Sequence, residues 1–152
     1  MSVIEDTTRL LASIGDQLNL ARVVADEYSA SWLINVDDRR TIVIDLNGAH
    51  DSLMITSAVA VPHPDRKLTY MEMMLQYNHQ WQETDGVRFS IEPTTGEATL
   101  IYEMPLLNVD EEQLVIVLEN FIEHCETWRV LLQSAGKNGA HPDGDDAMMM
   151  RV

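Results

Sequence analysis

The most constraining stretch of the chain runs from Val87 to Leu132 and combines two strand signals with one long helix signal. Apolar and polar residues alternate from Val87 to Ile91, the period of a half-buried strand, and Pro93 to Gly96 has turn chemistry before a second alternating run that Pro105 ends. Asp110 then starts a helix. Its apolar residues recur at three- and four-residue steps: Leu114, Val117, Leu118, Phe121, Cys125, Trp128 and Leu132. The stretch therefore predicts a hairpin followed by a helix whose broad apolar stripe covers a sheet.

The amino terminus predicts a short amphipathic helix. Ser2 and Glu5 have the spacing of a capping box, and Gly15 has the chemistry of a left-handed stop. The apolar positions of this helix are Ile4, Leu10, Leu11 and Ile14. Residues Asp16 to Ala30 show no clean period, so the sequence leaves them open between loop, helical turn and short strand.

Three strands are predicted next, over Trp32–Val36, Thr41–Leu46 and Ser52–Val61, separated by turn-forming residues. Pro62 ends the third strand, and a helix follows over Leu68–Trp81. Its apolar side has Leu68, Met71, Leu75 and Asn78 down one line and is widened by Met73, Met74 and Tyr77. We therefore expect an α+β fold of two layers, in which helices pack on a twisted antiparallel sheet in the order α-β-β-β-α-β-β-α. Residues 1–134 are predicted to form one domain, and residues 135–152 a disordered acidic tail.

Charge limits the class of partner. The chain has 25 acidic and 10 basic side chains, a formal charge of −15, which repels nucleic acid and anionic membranes. No apolar run is long enough to cross a bilayer, so we expect no membrane insertion. Cys125 is the single cysteine, which excludes a disulfide framework and favours a reducing cytoplasm as the protein's location.

The sequence predicts no enzyme. No phosphate-binding glycine loop and no metal-ligand spacing occur, so no catalytic residue, cofactor or metal site is predicted. His124 and Cys125 are adjacent, but neighbouring helical positions point about 100° apart, which is poor geometry for joint chemistry. We interpret this pair as a packed thiol beside an exposed imidazole. An enzyme using Cys125 or the isolated carboxylates is the weakest hypothesis, because no nucleophile, base and orienting group can be assembled.

The strands carry more apolar residues than one covered face of a sheet needs. Six of them lie on faces opposite stronger apolar neighbours: Leu33, Val43, Met54, Ala58, Ala60 and Ile101. Either helices on both sides bury them, or they form a binding surface for another polypeptide. A similar pair of alternatives applies to Met71, Met73 and Met74. These residues either fill the core or form a subunit interface, because the flexible methionine side chain packs well in both settings.

Several segments resemble the class I type III secretion chaperones, the Tir-chaperone type family. They are LLASIGDQLNL in the first helix, SWLINVDDRRTIVIDL and SLMITSAVAVP in the meander, MMLQYNHQW with its Asn78, and GEATLIYEMPLLNVDEEQLVIVLENFIEHCETWRVLL. The resemblance covers about Val3 to Leu132. Its most specific part is a strand ending in Met-Pro-Leu before an acidic cap and a helix with a late tryptophan. The link from Leu20 to Ser31 is longer than is usual in the family.

The resemblance implies a small acidic homodimer in the bacterial cytoplasm that binds the amino-terminal segment of a secreted effector, keeps it extended and helps to deliver it for secretion, with a role in virulence. It implies no ATP hydrolysis and no cofactor, and it makes the secretion ATPase a candidate partner. The implied dimer interface comprises Met71, Met74, Tyr77, Val87, Phe89 and Ile91. The implied effector-binding residues are Leu10, Leu33, Val43 and Met54. The alternative is a protein-binding or regulatory module without a secretion client, like the YbjN-like bacterial proteins of this general fold.

Overall fold

The computed structural model describes residues 2–18, 22–26, 28–107 and 109–135, and most of the predicted tail lies outside this range. The helices are α1 (Val3–Gln17), α2 (Lys67–His79, preceded by a 3-10 turn over Pro64–Arg66) and α3 (Glu111–Leu132). The strands are β1 (Arg22–Asp26), β2 (Ser31–Asn35), β3 (Thr41–Asn47), β4 (Ser52–Ala60), β5 (Arg88–Ile91) and β6 (Ala98–Pro105). They form one antiparallel sheet in the order β1-β2-β3-β4-β6-β5.

The predicted fold class is confirmed, and the structure adds one strand to it. β1 lies in the segment that the sequence left open. It pairs with β2 in antiparallel register, with Val24 opposite Leu33. An edge strand is bonded on one side only, so its local sequence carries a weak signal and its pairing partner stabilises it.

The chain divides into two compact units. Unit 1 contains Met1–Ala58 and Ile101–Glu119, and unit 2 contains Val59–Leu100 and Asn120–Val152. The single domain over residues 1–134 stays a prediction.

In unit 1, α1 packs on one face of strands β1 to β4. The indole Nε1 of Trp32 donates to Thr8 Oγ1 at 2.9 Å and ties β2 to the helix. The predicted capping box is present, because Ser2 Oγ accepts from Glu5 N at 3.2 Å and Glu5 Oε2 accepts from Ser2 N at 3.0 Å. The core beneath α1 is aliphatic apart from that tryptophan: Leu11, Ile14, Trp32, Ile34, Ile42, Ile44, Leu53 and Ile55 are at most 2% exposed.

The prediction that Gly15 ends the first helix is wrong. The helix continues to Gln17, and Gly15 is buried inside it. A β-carbon added at Gly15 would lie 3.0 Å from Cγ2 of Val23 on β1. The glycine is therefore used for close approach of helix and strand, a requirement that local sequence cannot reveal.

In unit 2, an aromatic cluster connects α2, β5 and the second half of α3. The ring centroids of Phe89 and Trp128 are 4.7 Å apart, and each lies within 5.5 Å of the Tyr77 ring, with edge-to-face angles of 70° to 84°. The buried side of α2 is accordingly Tyr70, Met74 and Tyr77. Leu68 and Leu75, which the helical pattern placed on the apolar side, are 81% and 70% exposed.

The prediction that the His124 imidazole is exposed is also wrong, because this residue is only 6% exposed. Its Nε2 lies 2.5 Å from Tyr77 Oη, so the histidine extends the aromatic cluster. Cys125 is buried, as predicted. The adjacent residues His124 and Cys125 can both be buried on α3, because Tyr77 on α2 supplies a polar partner for the imidazole.

The start of α3 agrees with the sequence. Gln113 N donates to Asp110 Oδ1 at 2.8 Å and Asp110 N donates to Gln113 Oε1 at 3.4 Å, which is the capping-box pattern. In unit 1 the Glu111 carboxylate then accepts from Ser13 Oγ at 2.7 Å and binds the side-chain amide of Gln17. These bonds attach the first turn of α3 to α1.

Candidate functional site

The face of the unit 1 sheet opposite α1 carries an accessible row of side chains that is apolar at three of its four positions. Val24, Leu33, Val43 and Thr56 occupy successive paired positions across β1, β2, β3 and β4. Val24 is 37% and Leu33 is 39% exposed, and Val43 is half-buried. We call these four residues the outer row. It ends at β1, which is an edge of the sheet.

Three of the four predicted effector-binding residues lie on this outer face. Leu33 and Val43 are in the outer row, and Met54 is half-buried in the neighbouring position opposite Asp45. Polar contacts border the row, since Ser31 Oγ donates to Asp45 Oδ1 at 2.6 Å. The fourth residue, Leu10, belongs to α1 on the opposite face. The structure therefore divides the predicted set between two places.

Leu10 lines a separate groove in unit 1, between the first half of α1 and the elbow from β6 to α3. The groove has a volume of about 650 Å³, and Leu10, Leu106 and Val109 supply half-buried apolar surface. Leu106 N donates to Asp51 O at 2.9 Å, which holds the elbow against the turn between β3 and β4. We call it the elbow groove.

The six residues predicted for the dimer interface fall together in unit 2, but four of them are already buried there. Met74, Tyr77, Val87 and Phe89 are each 3% to 7% exposed, Met71 is half-buried and Ile91 is 36% exposed. Met71, Met74, Phe89 and Ile91 line a shallow apolar groove of about 210 Å³ between α2 and β5, together with Leu75, Asn78 and Ser90. The accessible part of the predicted interface is thus narrower than the sequence indicated.

Side chains satisfy the backbone of β5 at the other edge of the sheet. Phe89 N donates to Asn78 Oδ1 at 2.7 Å, and Asn78 Nδ2 donates to Phe89 O at 3.0 Å. Val87 N donates to Thr84 O at 3.0 Å, and Thr84 Oγ1 donates to Val87 O at 3.0 Å. Asn78 therefore binds both backbone groups of Phe89, and Thr84 binds those of Val87 just before β5, so an added strand would find these groups already paired.

The buried polar pair Tyr77 and His124 is closed to solvent. Burial lowers the pKa of His124 to about 4 and raises the pKa of the Tyr77 hydroxyl well above its ordinary value. Both groups are therefore uncharged near neutral pH, and the hydrogen bond between them satisfies two buried polar atoms. This arrangement stabilises the aromatic cluster.

Metal-binding clusters and membrane-spanning helices are absent from the described residues. Within residues 2–18, 22–26, 28–107 and 109–135, no group of three or more His, Cys, Asp or Glu side chains has the geometry to hold a metal ion. No helix in that part of the chain is long and apolar enough to cross a membrane.

Sequence reasoning missed several residues of these surfaces. Val24 was missed because its strand has no clean period, although its pairing with Leu33 extends the outer row. Leu106, Leu107 and Val109 lie in the connection between the strand that Pro105 ends and the helix that Asp110 starts, where the sequence predicts no binding surface. Three apolar residues in a short connection were the available signal, since a loop without contacts rarely needs them.

Comparison with known proteins identifies the fold and family. No curated protein matches this chain. Among solved structures that share the fold, the crystal structure of the ExsC–ExsE complex superposes with a TM-score of 0.76 and 21% identity, over 90% of this chain and 100% of that chain. The structure of the HopA1–SchA chaperone–effector complex superposes with a TM-score of 0.66 and 15% identity, over 82% and 93% of the two chains. The model of the Tir chaperone protein (CesT) family matches residues 9–129, most of the sequence, so the chain belongs to that family.

Proposed function

We propose that this protein is a type III secretion chaperone that binds the amino-terminal segment of a secreted effector, keeps it extended and helps to target it to the secretion apparatus. The observation that carries the proposal is the outer row, an accessible apolar surface that runs to the β1 edge of the sheet. Membership of the chaperone family and the chaperone–effector complex among the similar structures support it. The proposed location is the bacterial cytoplasm, where effectors are made.

An extended client fits the β1 edge better than the β5 edge. A strand added beside β1 would gain backbone hydrogen bonds, and its alternate side chains would continue the line of Val24 and Leu33. At the other edge, the backbone groups of Phe89 on β5 and of Val87 just before it are already hydrogen-bonded to Asn78 and Thr84. Strand addition at β1 therefore supplies affinity through the client backbone and selectivity through its apolar side chains.

Charge substitution in the outer row tests this proposal. We expect Leu33→Glu combined with Val43→Glu to weaken client binding at least tenfold, because the client would have to desolvate two carboxylates without a partner. The client is the amino-terminal segment of a secreted protein encoded beside this one. Co-expression with the chaperone identifies a client that forms a complex, and titration calorimetry then measures the affinity of each variant for that segment.

The matched control is Ile116→Glu, an exposed position on α3 in the same unit, which should bind like the unmodified protein. Leu33→Glu alone keeps the test valid if the half-buried Val43 position does not tolerate a charge. A stable complex that all variants form equally well would exclude the outer row. Failure of every neighbouring secreted protein to bind would favour a protein-binding module without a secretion client.

We also propose that two copies associate through the accessible apolar surface of α2 and β5. Leu75 is 70% exposed, and Met71 and Ile91 border the same shallow groove. Soluble proteins rarely leave such adjacent apolar side chains uncovered. A dimer would present two client sites to one effector chain, which raises the effective concentration of the second contact.

The mass in solution tests the dimer. We expect the unmodified protein to have about twice the 17.2 kDa of one chain, and Leu75→Glu combined with Ile91→Glu to shift the population to monomer at the same concentration. Sedimentation equilibrium measures both. Val130→Glu places the same charge on exposed α3 surface and should leave the mass unchanged. A monomeric unmodified protein at every concentration would contradict the proposal.

A further inference from the structure

The edge strand β1 presents an acidic side chain next to the outer row. Val24 and Asp26 are two positions apart on β1, so their side chains point to the same face of the sheet. Asp26 pairs with Ser31 on β2, and Ser31 pairs with Asp45 on β3. A second row with two carboxylates therefore runs beside the outer row, on the side of the turn between β1 and β2, and it reaches the same edge.

The Asp26 carboxylate is charged and accessible. The residue is exposed, and no Lys or Arg in the described part of the chain forms an ion pair with it. Hydrogen bonds, the largest from the Ser29 side chain, hold the pKa of Asp26 below its ordinary value. Tyr28 N also donates to Asp26 Oδ1 at 3.1 Å. These bonds fix a negative charge at the end of the edge strand.

A strand added beside β1 would bring its outward side chains opposite Val24 and Asp26 in turn. Cross-strand pairs of opposite charge stabilise a sheet, and like charges directly opposite each other destabilise it. An apolar side chain would therefore be favoured opposite Val24 and a cation opposite Asp26. A slip of two residues keeps the same face but changes both partners, so the carboxylate also sets the register of the added strand.

We infer that Asp26 selects client strands with a Lys or Arg two positions from an apolar residue, so that the cation lies opposite Asp26 and the apolar side chain opposite Val24. Neighbouring strands of unit 1 are antiparallel, and a client strand that continues this pattern has the order basic, any residue, apolar from its amino terminus. The inference rests on the proposed function, because the ligand is the client strand added at the β1 edge. The outer row supplies the apolar contact, and Asp26 supplies the choice between clients.

Two nine-residue peptides test the charge preference on the full chain. Each consists of threonine and valine around a central leucine, and two positions before the leucine one has lysine and the other glutamate. We expect the lysine peptide to bind about three- to tenfold more tightly, as measured by fluorescence anisotropy. At about 0.15 M salt, charges more than about 8 Å apart are largely screened, so the net charge of the chain contributes little to this difference.

Two substitutions change the charge at the edge. Asp26→Lys should reverse the preference, so that the glutamate peptide binds more tightly, which loss of a merely structural side chain would not do. Asp26→Asn should lower the preference at least twofold, because the amide has no charge but keeps an oxygen that can accept from Tyr28 N. Asp26→Asn keeps the test valid if lysine disturbs the turn.

The matched controls separate this position from general attraction. Glu119→Lys and Glu119→Gln make the same changes of charge at an exposed position on α3 in the same unit, and should leave the preference unchanged. Equal effects at Asp26 and Glu119, no effect at Asp26, or no binding of either peptide at millimolar concentration would overturn the inference. A co-expressed client segment whose binding needs Leu33 and is not weakened by Asp26→Lys would also overturn it, and would leave the proposed function intact.

Discussion

Trp128→Ala is expected to lower the free energy of unfolding by about 3–5 kcal/mol, the cost of removing a large aromatic side chain from a packed core. Trp128 is 2% exposed, and its ring contacts both Phe89 and Tyr77 in unit 2. Its removal would leave a cavity between α2, β5 and α3. Urea unfolding at pH 7, followed by circular dichroism at one fixed protein concentration, measures the loss.

Two further variants serve as controls for this loss of stability. The indole Nε1 of Trp128 has no acceptor among the described residues, so Trp128→Phe removes a buried unpaired donor while keeping most of the ring contacts. We expect it to cost less than about 1.5 kcal/mol. Val130→Ala, an exposed position on the same helix, should change stability by less than about 0.5 kcal/mol. A Trp128→Ala variant as stable as Val130→Ala would show that the aromatic cluster does not hold unit 2 together.

The second large effect concerns pH and arises from His124. The pKa of this buried imidazole is about 4 in the folded protein, against an ordinary value of 6.5. Between these two values the unfolded chain binds a proton that the folded chain does not. The free energy of unfolding therefore falls as pH falls from about 6.5 to about 4, and below that range the histidine causes no further loss.

The expected size follows from the interval of about 2.5 pH units. At about 1.4 kcal/mol per unit, His124 alone would remove about 3 kcal/mol of stability across it. Unfolding measured at half-unit steps of pH tests this. His124→Gln keeps a side chain that can hydrogen-bond to Tyr77 and cannot titrate, so its profile should be flatter between pH 6.5 and 4.5.

Two other titrating groups affect stability in a lower range of pH. Hydrogen bonds, the largest from Arg40 and Thr94 respectively, hold the pKa values of Asp37 and Glu92 at about 2, so their contributions are lost only in stronger acid. If His124→Gln had the slope of the unmodified protein, another group would have to account for it.

Local patterns predicted the elements of this fold well. The capping boxes at Ser2 and Asp110 involve residues three apart, and both are present in the structure. The meander and the hairpin also follow from strand alternation and turn chemistry. These features depend on contacts between near neighbours in sequence, so the sequence contains most of their cause.

Patterns failed where a distant partner decides the outcome. In α2, apolar residues occur around the helix, so periodicity cannot tell whether Leu75 or Tyr77 faces inward. The rings of Phe89 and Trp128 bury Tyr77 and leave Leu75 exposed. Gly15 was misread for the same reason, because the close approach of Val23 is a contact between separate elements.

The candidate site shows the same division. The surplus of apolar residues on opposite strand faces left open whether helices on both sides bury them or they form a surface for another polypeptide, and in the structure Leu33 is accessible. The sequence could not show that Leu10 lies across the sheet from Leu33, or that Val24 extends the outer row. It also could not show that the Asn78 side chain forms hydrogen bonds with the backbone of β5. Each depends on pairing register or on helix-to-strand packing.

The sequence by itself therefore determined the helices, all strands but β1, their order and the apolar surplus, because short-range periodicity and capping encode them. Only the tertiary structure decided which apolar residues form the core and which stay accessible. Burial is a property of the partner elements as much as of the residue. His124 is the clearest example: its neighbours in sequence indicated an exposed imidazole, and the Tyr77 hydroxyl on another helix made its burial possible.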